Sequence, residues 1–178
     1  MVFVWLWLCM TVGILLHELA HHLTFRPSEM ALTRFFPLAP VTEANRVQLA
    51  LAELAGPSLN MTLGLACFAG FAQWGGAWLY PAAANLTLVV VPAVVNLVVD
   101  LVNRKPSNDL QKAGALLGLP LVALPALFMS LAGPPLWYLA LRLADLWSSF
   151  VLLFGSFALA GLVLAALEKL FRVRFRLV

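Results

Sequence analysis

Long runs of apolar residues, separated by short polar segments, occupy most of this 178-residue chain. A helix needs about 20 mainly apolar residues to cross a bilayer core, and five segments meet that requirement. The first runs from about Val2 to Leu23, and the second and third share the stretch from Leu54 to Val99. The fourth runs from about Ala113 to Leu131 and the fifth from about Leu143 to Leu167. The pattern predicts an all-α, polytopic bundle of about five transmembrane spans.

Glycine and proline indicate where these helices break. The stretch from Leu54 to Val99 is too long for one crossing, and residues 74–81 within it contain two glycines, a proline and aromatic residues typical of a membrane interface. We therefore expect span two to end there and span three to begin. Pro120 and Pro125 lie in the fourth span, which meets Gly-Pro-Pro at residues 133–135. The two prolines predict a kinked or locally frayed helix, and the tripeptide predicts where it ends.

The one sizeable polar segment, Thr24 to Glu53, joins the first two spans. Thr42 can cap a helix that begins near Glu43 and leads into span two. An imperfect alternation of apolar and polar residues predicts a short strand from Met30 to Phe36. We expect this segment to form a short insertion on the cytoplasmic side of the bundle.

Composition supports a membrane protein and argues against a nucleic-acid-binding one. Hydrophobic residues make up 63% of the chain, charged residues 11%, and the mean hydropathy is +0.96, far from the averages of soluble domains. The first span lacks the basic start and the cleavage site of a signal peptide, so we expect it to be retained in the bilayer. The net charge of +3 is spread over short loops without an aromatic-interleaved basic patch, and no nucleic-acid partner is expected.

Basic residues predict the orientation, because lysine and arginine collect in cytoplasmic loops. Alternating the sides of five spans leaves only Arg142 on one side of the membrane. The opposite side holds Arg26, Arg34, Arg46, Arg104, Lys105, Lys112, Lys169, Arg172, Arg174 and Arg176. We predict an integral protein of a prokaryotic plasma membrane, with its N-terminus outside and its C-terminus in the cytoplasm. The end of span one then lies toward the cytoplasmic face.

That end carries the chain's main chemical motif, His17-Glu18-Leu19-Ala20-His21. Histidines four residues apart differ by about 40° around a helix, so their imidazoles can bind one Zn²⁺ together, with Glu18 beside the metal as a general base. Ionisable groups at membrane depth are unfavourable and usually functional. A catalytic zinc typically has three protein ligands, so one more is needed. The acidic residues that can reach this site are Glu29, Glu43, Glu53, Asp100 and Asp109.

Two further motifs accompany the histidine motif. They are Ala55-Gly56-Pro57-Ser58-Leu59-Asn60 near the start of span two, and Asn96-Leu97 followed by Pro106-Ser107-Asn108-Asp109. Over its first three spans the chain thereby resembles the site-2 protease family of intramembrane zinc metalloproteases. The resemblance implies that Asp109 is the third zinc ligand. Asp100, the alternative, would otherwise be a helix-end residue near Arg104.

The chain departs from this family at two positions. Val99 stands where a proline usually follows three residues after the asparagine, and Leu110 stands where glycine usually follows the aspartate. Glycine permits backbone angles that leucine resists. Leu110 therefore bears directly on the conformation of the segment that carries Asp109.

The resemblance implies a zinc-dependent endopeptidase that hydrolyses a peptide bond in or near a transmembrane helix of a membrane-protein substrate. Such a helix hides its carbonyls in hydrogen bonds and must unwind first. The resemblance puts Asn60 and Asn96 near the cleft, where their amides can bind the unwound backbone. We divide this single membrane-embedded domain into a catalytic core, residues 1–110, and two accessory spans, residues 111–178.

Two other functions stay open. A degenerate family member would bind zinc but act only as a membrane scaffold or substrate-binding protein. Val99 and Leu110 favour that reading, and the intact Glu18 argues against it. A transporter would also carry ionisable residues within its spans, but it would be expected to show paired broken helices or repeat symmetry. The sequence contains neither.

Overall fold

The computed structural model describes residues 1–24, 46–103, 105–144 and 146–171, and within these ranges all regular structure is helical. The elements are α1 (Val2–Thr24), α2 (Arg46–Trp74), a 3-10 turn (Gly76–Trp78), α3 (Leu79–Asn103), α4 (Asp109–Leu116), α5 (Ala123–Leu143) and α6 (Leu146–Phe171). The strand predicted from Met30 to Phe36 and the helix cap predicted at Thr42 lie outside the described residues.

Four helical segments are long and apolar enough to cross a membrane, counting only the residues that the structure describes. They are Val2–His21, Arg46–Trp74, Gly76–Asn103 and Ala123–Leu143. The described part of α6 contains a shorter apolar segment, Val151–Ala160. These helices have the character of an integral membrane protein, and the predicted fifth span stays a prediction.

The break between α2 and α3 falls where glycine predicted it. Gly75 and Gly76 have φ angles of 65° and 54°, in the left-handed region that glycine enters without a steric penalty. The amide of Gly75 donates to the carbonyl of Phe71 at 2.8 Å and completes the end of α2. The rings of Trp74 and Trp78 face each other across the turn with centroids 6.0 Å apart. The expected interruption at residues 74–81 is therefore confirmed.

The prediction that the fourth span runs from Ala113 to Leu131 is wrong, because a helix end divides that segment. Gly118 has a φ of 72°, and its amide donates to the carbonyl of Ala115. The amide of Leu119 donates to Gly114 at 2.8 Å. This pair of bonds is the Schellman ending of a helix, which proline often follows, here as Pro120. The membrane-length helix begins only at Ala123.

The same helix continues through Pro134 and Pro135, where the sequence predicted an end. Each proline removes one backbone donor from the helix ladder. Membrane helices tolerate this loss when neighbouring helices or hydroxyl side chains satisfy the freed groups. α5 therefore spans Ala123–Leu143 with both prolines inside it.

Small residues on α3 let the helices of the bundle pack closely. Ala82, Ala83 and Ala84 are fully buried and join one apolar core with Leu6 and Met10 of α1. Close approach of this kind is the usual role of small residues between membrane helices. α3 packs on α1, α2 and α5, while the short helix α4 returns to pack on α2 and α5. This return brings the beginning of α4 to the end of α1.

Candidate metal centre

Two imidazoles meet at the C-terminal end of α1. His17 and His21 are one helical turn apart, with ring centroids 4.7 Å apart and Nε2 atoms separated by 3.0 Å. Both side chains are mostly buried, at 12% and 13% exposure. The helical spacing therefore does what the sequence predicted and directs both Nε2 atoms into one space.

Asp109 enters the same space from the first residue of α4. Its Oδ2 atom lies 3.1 Å from Nε2 of His17 and 3.2 Å from Nε2 of His21. Asn108 caps this helix by accepting a hydrogen bond from the backbone amide of Gln111, and it donates its own amide to the carbonyl of Pro92 on α3. One side chain thus starts α4 and ties it to α3, which defines where Asp109 can point.

The alternative ligand, Asp100, is used elsewhere. It is fully buried at the end of α3, and its Oδ2 atom accepts the backbone amide of Ser107 at 3.0 Å. Asp100 therefore closes the connection from α3 to α4 and is not among the grouped ligand atoms of the described residues. The pairing proposed between Asp100 and Arg104 lies outside the described residues.

Leu110 does not disturb this arrangement. It is the second residue of α4 and is buried, with 2% exposure. A right-handed helical position is one that leucine adopts readily. In this chain the aspartate is the first residue of a helix, so no glycine is needed at position 110 to turn the backbone.

The hydrogen bonds of His21 determine which of its nitrogens can bind a metal. Nδ1 lies 2.6 Å from the carbonyl oxygen of Ala52 on α2. Because a carbonyl only accepts, Nδ1 must carry the proton, and in the neutral ring Nε2 then has a free lone pair. That lone pair faces Oδ2 of Asp109 at 3.2 Å. Two acceptors at this distance require a proton or a cation between them.

Asn60 contacts the corresponding ring nitrogen of His17. Its side chain is buried, with 1% exposure, and its Nδ2 atom lies 3.2 Å from Nδ1 of His17. Its Oδ1 atom has no hydrogen-bond partner among the described residues. Rotating the amide by 180° puts Oδ1 where it accepts the Nδ1 proton of His17, and the two orientations are hard to distinguish by shape alone. A histidine that binds metal through Nε2 usually donates its other ring N–H in this manner.

Replacement of Asn60 by leucine is expected to weaken metal binding by about 10- to 100-fold, the usual effect of losing such a partner. Leucine has a similar size but cannot accept the Nδ1 proton. Asn60→Asp keeps an acceptor oxygen and should retain most of the affinity. Competition with a chelator measures both values. Equal affinity in Asn60→Leu and the parent protein would contradict a role for Asn60 in orienting His17.

The donor set fits a small cation. The three donor atoms are separated by 3.0 to 3.2 Å. This is only slightly less than the about 3.3 to 3.6 Å between the ligand atoms of tetrahedral zinc with bonds of about 2.0 to 2.2 Å. Gly56 of α2 faces both histidines, and a Cβ atom there would lie 2.5 Å from each Nε2. Only glycine, which has no Cβ atom, leaves room at position 56 for the Nε2 atoms of both rings. His17, His21 and Asp109 therefore form a group that can hold a metal ion.

The charge of Asp109 suits this role. Burial raises the pKa of its carboxyl, but the close contacts with the imidazoles of His17 and His21 outweigh burial and hold the pKa well below its usual range. The carboxylate therefore stays ionised at neutral pH. Its second oxygen, Oδ1, lies 3.7 Å from Nζ of Lys112, which is also 4.0 Å from Oε2 of Glu53 on α2.

The other two predicted site residues differ in how closely they approach the centre. Glu18 is half-buried on the same turn of α1 as the histidines, and it is not one of the grouped ligand atoms. Asn96 is half-buried on α3, one turn after Pro92. No hydrogen bond joins its side chain to another residue within the described part of the chain. The predicted substrate-binding roles of Asn60 and Asn96 stay predictions.

Four supporting groups were not identified from sequence. They are the Ala52 carbonyl, Gly56 as a contact of both rings, Asn108 and Lys112. Gly56 and Asn108 lay within quoted motifs and carried a usable signal, since asparagine before a helix is a typical cap. A backbone carbonyl leaves no signal in a sequence. Lys112 follows Asp109 by three residues, a spacing that brings side chains together on a helix, whereas its contact with Glu53 depends on how α2 and α4 pack.

Comparisons with protein-family models, with curated proteins and with solved structures found no match.

Proposed function

We propose that this protein is a zinc-dependent intramembrane endopeptidase. The observation that carries the proposal is the convergence of His17, His21 and Asp109 at the end of a helix long and apolar enough to cross a membrane. Glu18 accompanies the histidines in the order that zinc proteases use. Two imidazoles and a carboxylate are suitable ligands for zinc.

The chain's own residues divide the chemistry among them. When bound by the three ligands, zinc would polarise a peptide carbonyl and lower the pKa of a coordinated water toward about 7. Glu18 would accept a proton from the attacking water and return it to the leaving amine. Asn60 and Ala52 would keep the two rings oriented, as their hydrogen bonds to His17 and His21 indicate.

The substrate class follows from the setting of the site. A peptide that reaches the end of α1 from within the bilayer is itself a membrane segment, and its helix must unwind to expose a carbonyl. Asn96, half-buried on α3 and without a side-chain hydrogen bond among the described residues, would bind the unwound backbone. The basic residues of the loops favour an orientation with this site toward the cytoplasm.

Metal removal tests the proposal. Purified protein in proteoliposomes is expected to contain one zinc per chain and to cleave at least one member of a panel of single-span membrane proteins. Chelation should abolish cleavage, and zinc should restore it. Elemental analysis distinguishes zinc from iron, which can use the same two-histidine, one-carboxylate donors.

A metal-binding scaffold is the second function that these residues can support, because the same three ligands would then have a structural role. It predicts bound zinc, loss of stability on chelation, and no cleavage of any panel member. Chelator-insensitive cleavage would contradict both functions.

A further inference from the structure

The two carboxylate oxygens of Asp109 lie in different surroundings. Oδ2 faces both histidines at 3.1 and 3.2 Å, whereas Oδ1 faces the ammonium group of Lys112 at 3.7 Å. Carboxylates bind metal ions through one oxygen or through both. The neighbours of the second oxygen therefore decide which mode is available to Asp109.

Lys112 is held in this position by two helices. It lies one turn after Asp109 on α4, and its Nζ atom is also 4.0 Å from Oε2 of Glu53 on α2. Glu53 directly follows Ala52, whose carbonyl orients His21. Lys112 thus connects Asp109 to the turn of α2 whose Ala52 carbonyl orients His21.

The exposure of these side chains argues against a purely stabilising role. Lys112 is 38% exposed and Glu53 is 28% exposed, while Asp109 is only 7% exposed. Ion pairs as exposed as that between Lys112 and Glu53 contribute little to stability. The contact of Lys112 with the buried Asp109 has a more specific consequence, because it acts on an atom next to the metal centre.

We propose that Lys112 is a positioning residue that keeps Oδ1 of Asp109 away from the metal, so that Asp109 binds through Oδ2 alone. A catalytic zinc site keeps one coordination position open for water or substrate. A carboxylate bound through both oxygens would add a further ligand, raise the coordination number and crowd that position. The inference rests on the proposed metal site and adds the device that keeps it open.

The absorption spectrum of the cobalt-substituted protein tests this inference. Four-coordinate Co²⁺ absorbs visible light more strongly than five- or six-coordinate Co²⁺. Lys112→Met should give the weaker spectrum of higher coordination, with metal affinity equal or increased because a positive charge has been removed. Cleavage should fall by about 10- to 100-fold, as for other partners of metal ligands. Lys112→Arg should restore the parent spectrum.

Lys105→Met is the matched control. It removes the same charge from an exposed residue shortly before α4, and it should leave the spectrum unchanged. If Lys112→Met does not fold, Lys112→Gln keeps a long polar side chain without the charge. A parent-like spectrum in the folded Lys112 variant, or the same change in Lys105→Met, would overturn the inference.

The spectrum separates this inference from the proposed function, because it does not depend on a substrate. A spectral change in Lys112→Met without cleavage by the parent protein supports the role of Lys112 and contradicts the protease. Zinc-dependent cleavage by the parent protein with no spectral change in Lys112→Met supports the protease and contradicts the role of Lys112.

Discussion

Replacement of Gly56 by alanine is expected to abolish metal binding while leaving the helices of the bundle assembled. The added Cβ would lie 2.5 Å from Nε2 of both His17 and His21, closer than nonbonded atoms approach each other. The rings cannot turn away freely, because Asn60 and Ala52 hold their Nδ1 atoms. We expect the affinity to fall by more than about 100-fold, since loss of a supporting partner alone costs about 10- to 100-fold.

Gly64→Ala is the matched control for this variant. Gly64 lies two turns further along α2, and a Cβ there would come within 2.7 Å of Cδ2 and 3.1 Å of the backbone nitrogen of Leu86 on α3. Both variants therefore crowd a helix contact, but only Gly56→Ala crowds the ligand atoms. Chelator competition and thermal unfolding of the metal-free proteins separate the two effects. Similar metal affinities in both variants would show that Gly56 is not needed for access to the metal.

The half of the centre on α1 was predictable because it depends on local geometry alone. The four-residue spacing of His17 and His21 brings their side chains to one face of any α-helix. The contribution of Asp109 is different, since it lies 92 residues from His17 in sequence. The span topology placed Asp109 among five acidic residues that can reach the histidines, and only the resemblance to a family selected it. The choice against Asp100 required the hydrogen bond to Ser107.

The boundaries of α4 and α5 were predicted poorly because hydropathy does not detect the residues that end a helix. Residues 113–131 are largely apolar, so they read as one span, although Gly118 and Pro120 together are a recognisable helix ending. Pro134 and Pro135 produced the opposite error. Prolines in a water-exposed helix interior break it, whereas the packed surroundings of a membrane helix can satisfy the groups that they free.

Local backbone structure also explains why two differences from the site-2 protease family, which the sequence resembles, are compatible with the grouping of His17, His21 and Asp109. Leu110 replaces a glycine but lies inside α4, and the capping bonds of Asn108 define the start of that helix. Val99 precedes Asp100, whose bond to Ser107 closes the connection between α3 and α4. The two substitutions that favoured a degenerate protein are therefore compatible with a group of three side chains that can hold a metal ion.

Glu18→Gln is expected to reduce cleavage by about 10²- to 10⁴-fold, the usual contribution of a general acid–base group. Glutamine has nearly the same shape but cannot accept the proton of the attacking water. Zinc content should not change, because Glu18 is outside the group of ligand atoms formed by His17, His21 and Asp109. Substrate cleavage and zinc content are measured on the same preparation in proteoliposomes.

Asp109→Asn is the variant with which Glu18→Gln is compared, because it changes a residue of the proposed metal site. It should lose zinc as well as cleavage, since a neutral amide replaces the only anionic ligand and Oδ2 no longer carries charge toward the histidines. A Glu18→Gln protein that retains zinc and stays inactive separates proton transfer from metal binding and supports the protease over the scaffold. If that variant cleaves at the parent rate, Glu18 is not the base, and if it loses zinc, Glu18 belongs to the metal site. In either case the mechanism proposed for this centre is wrong.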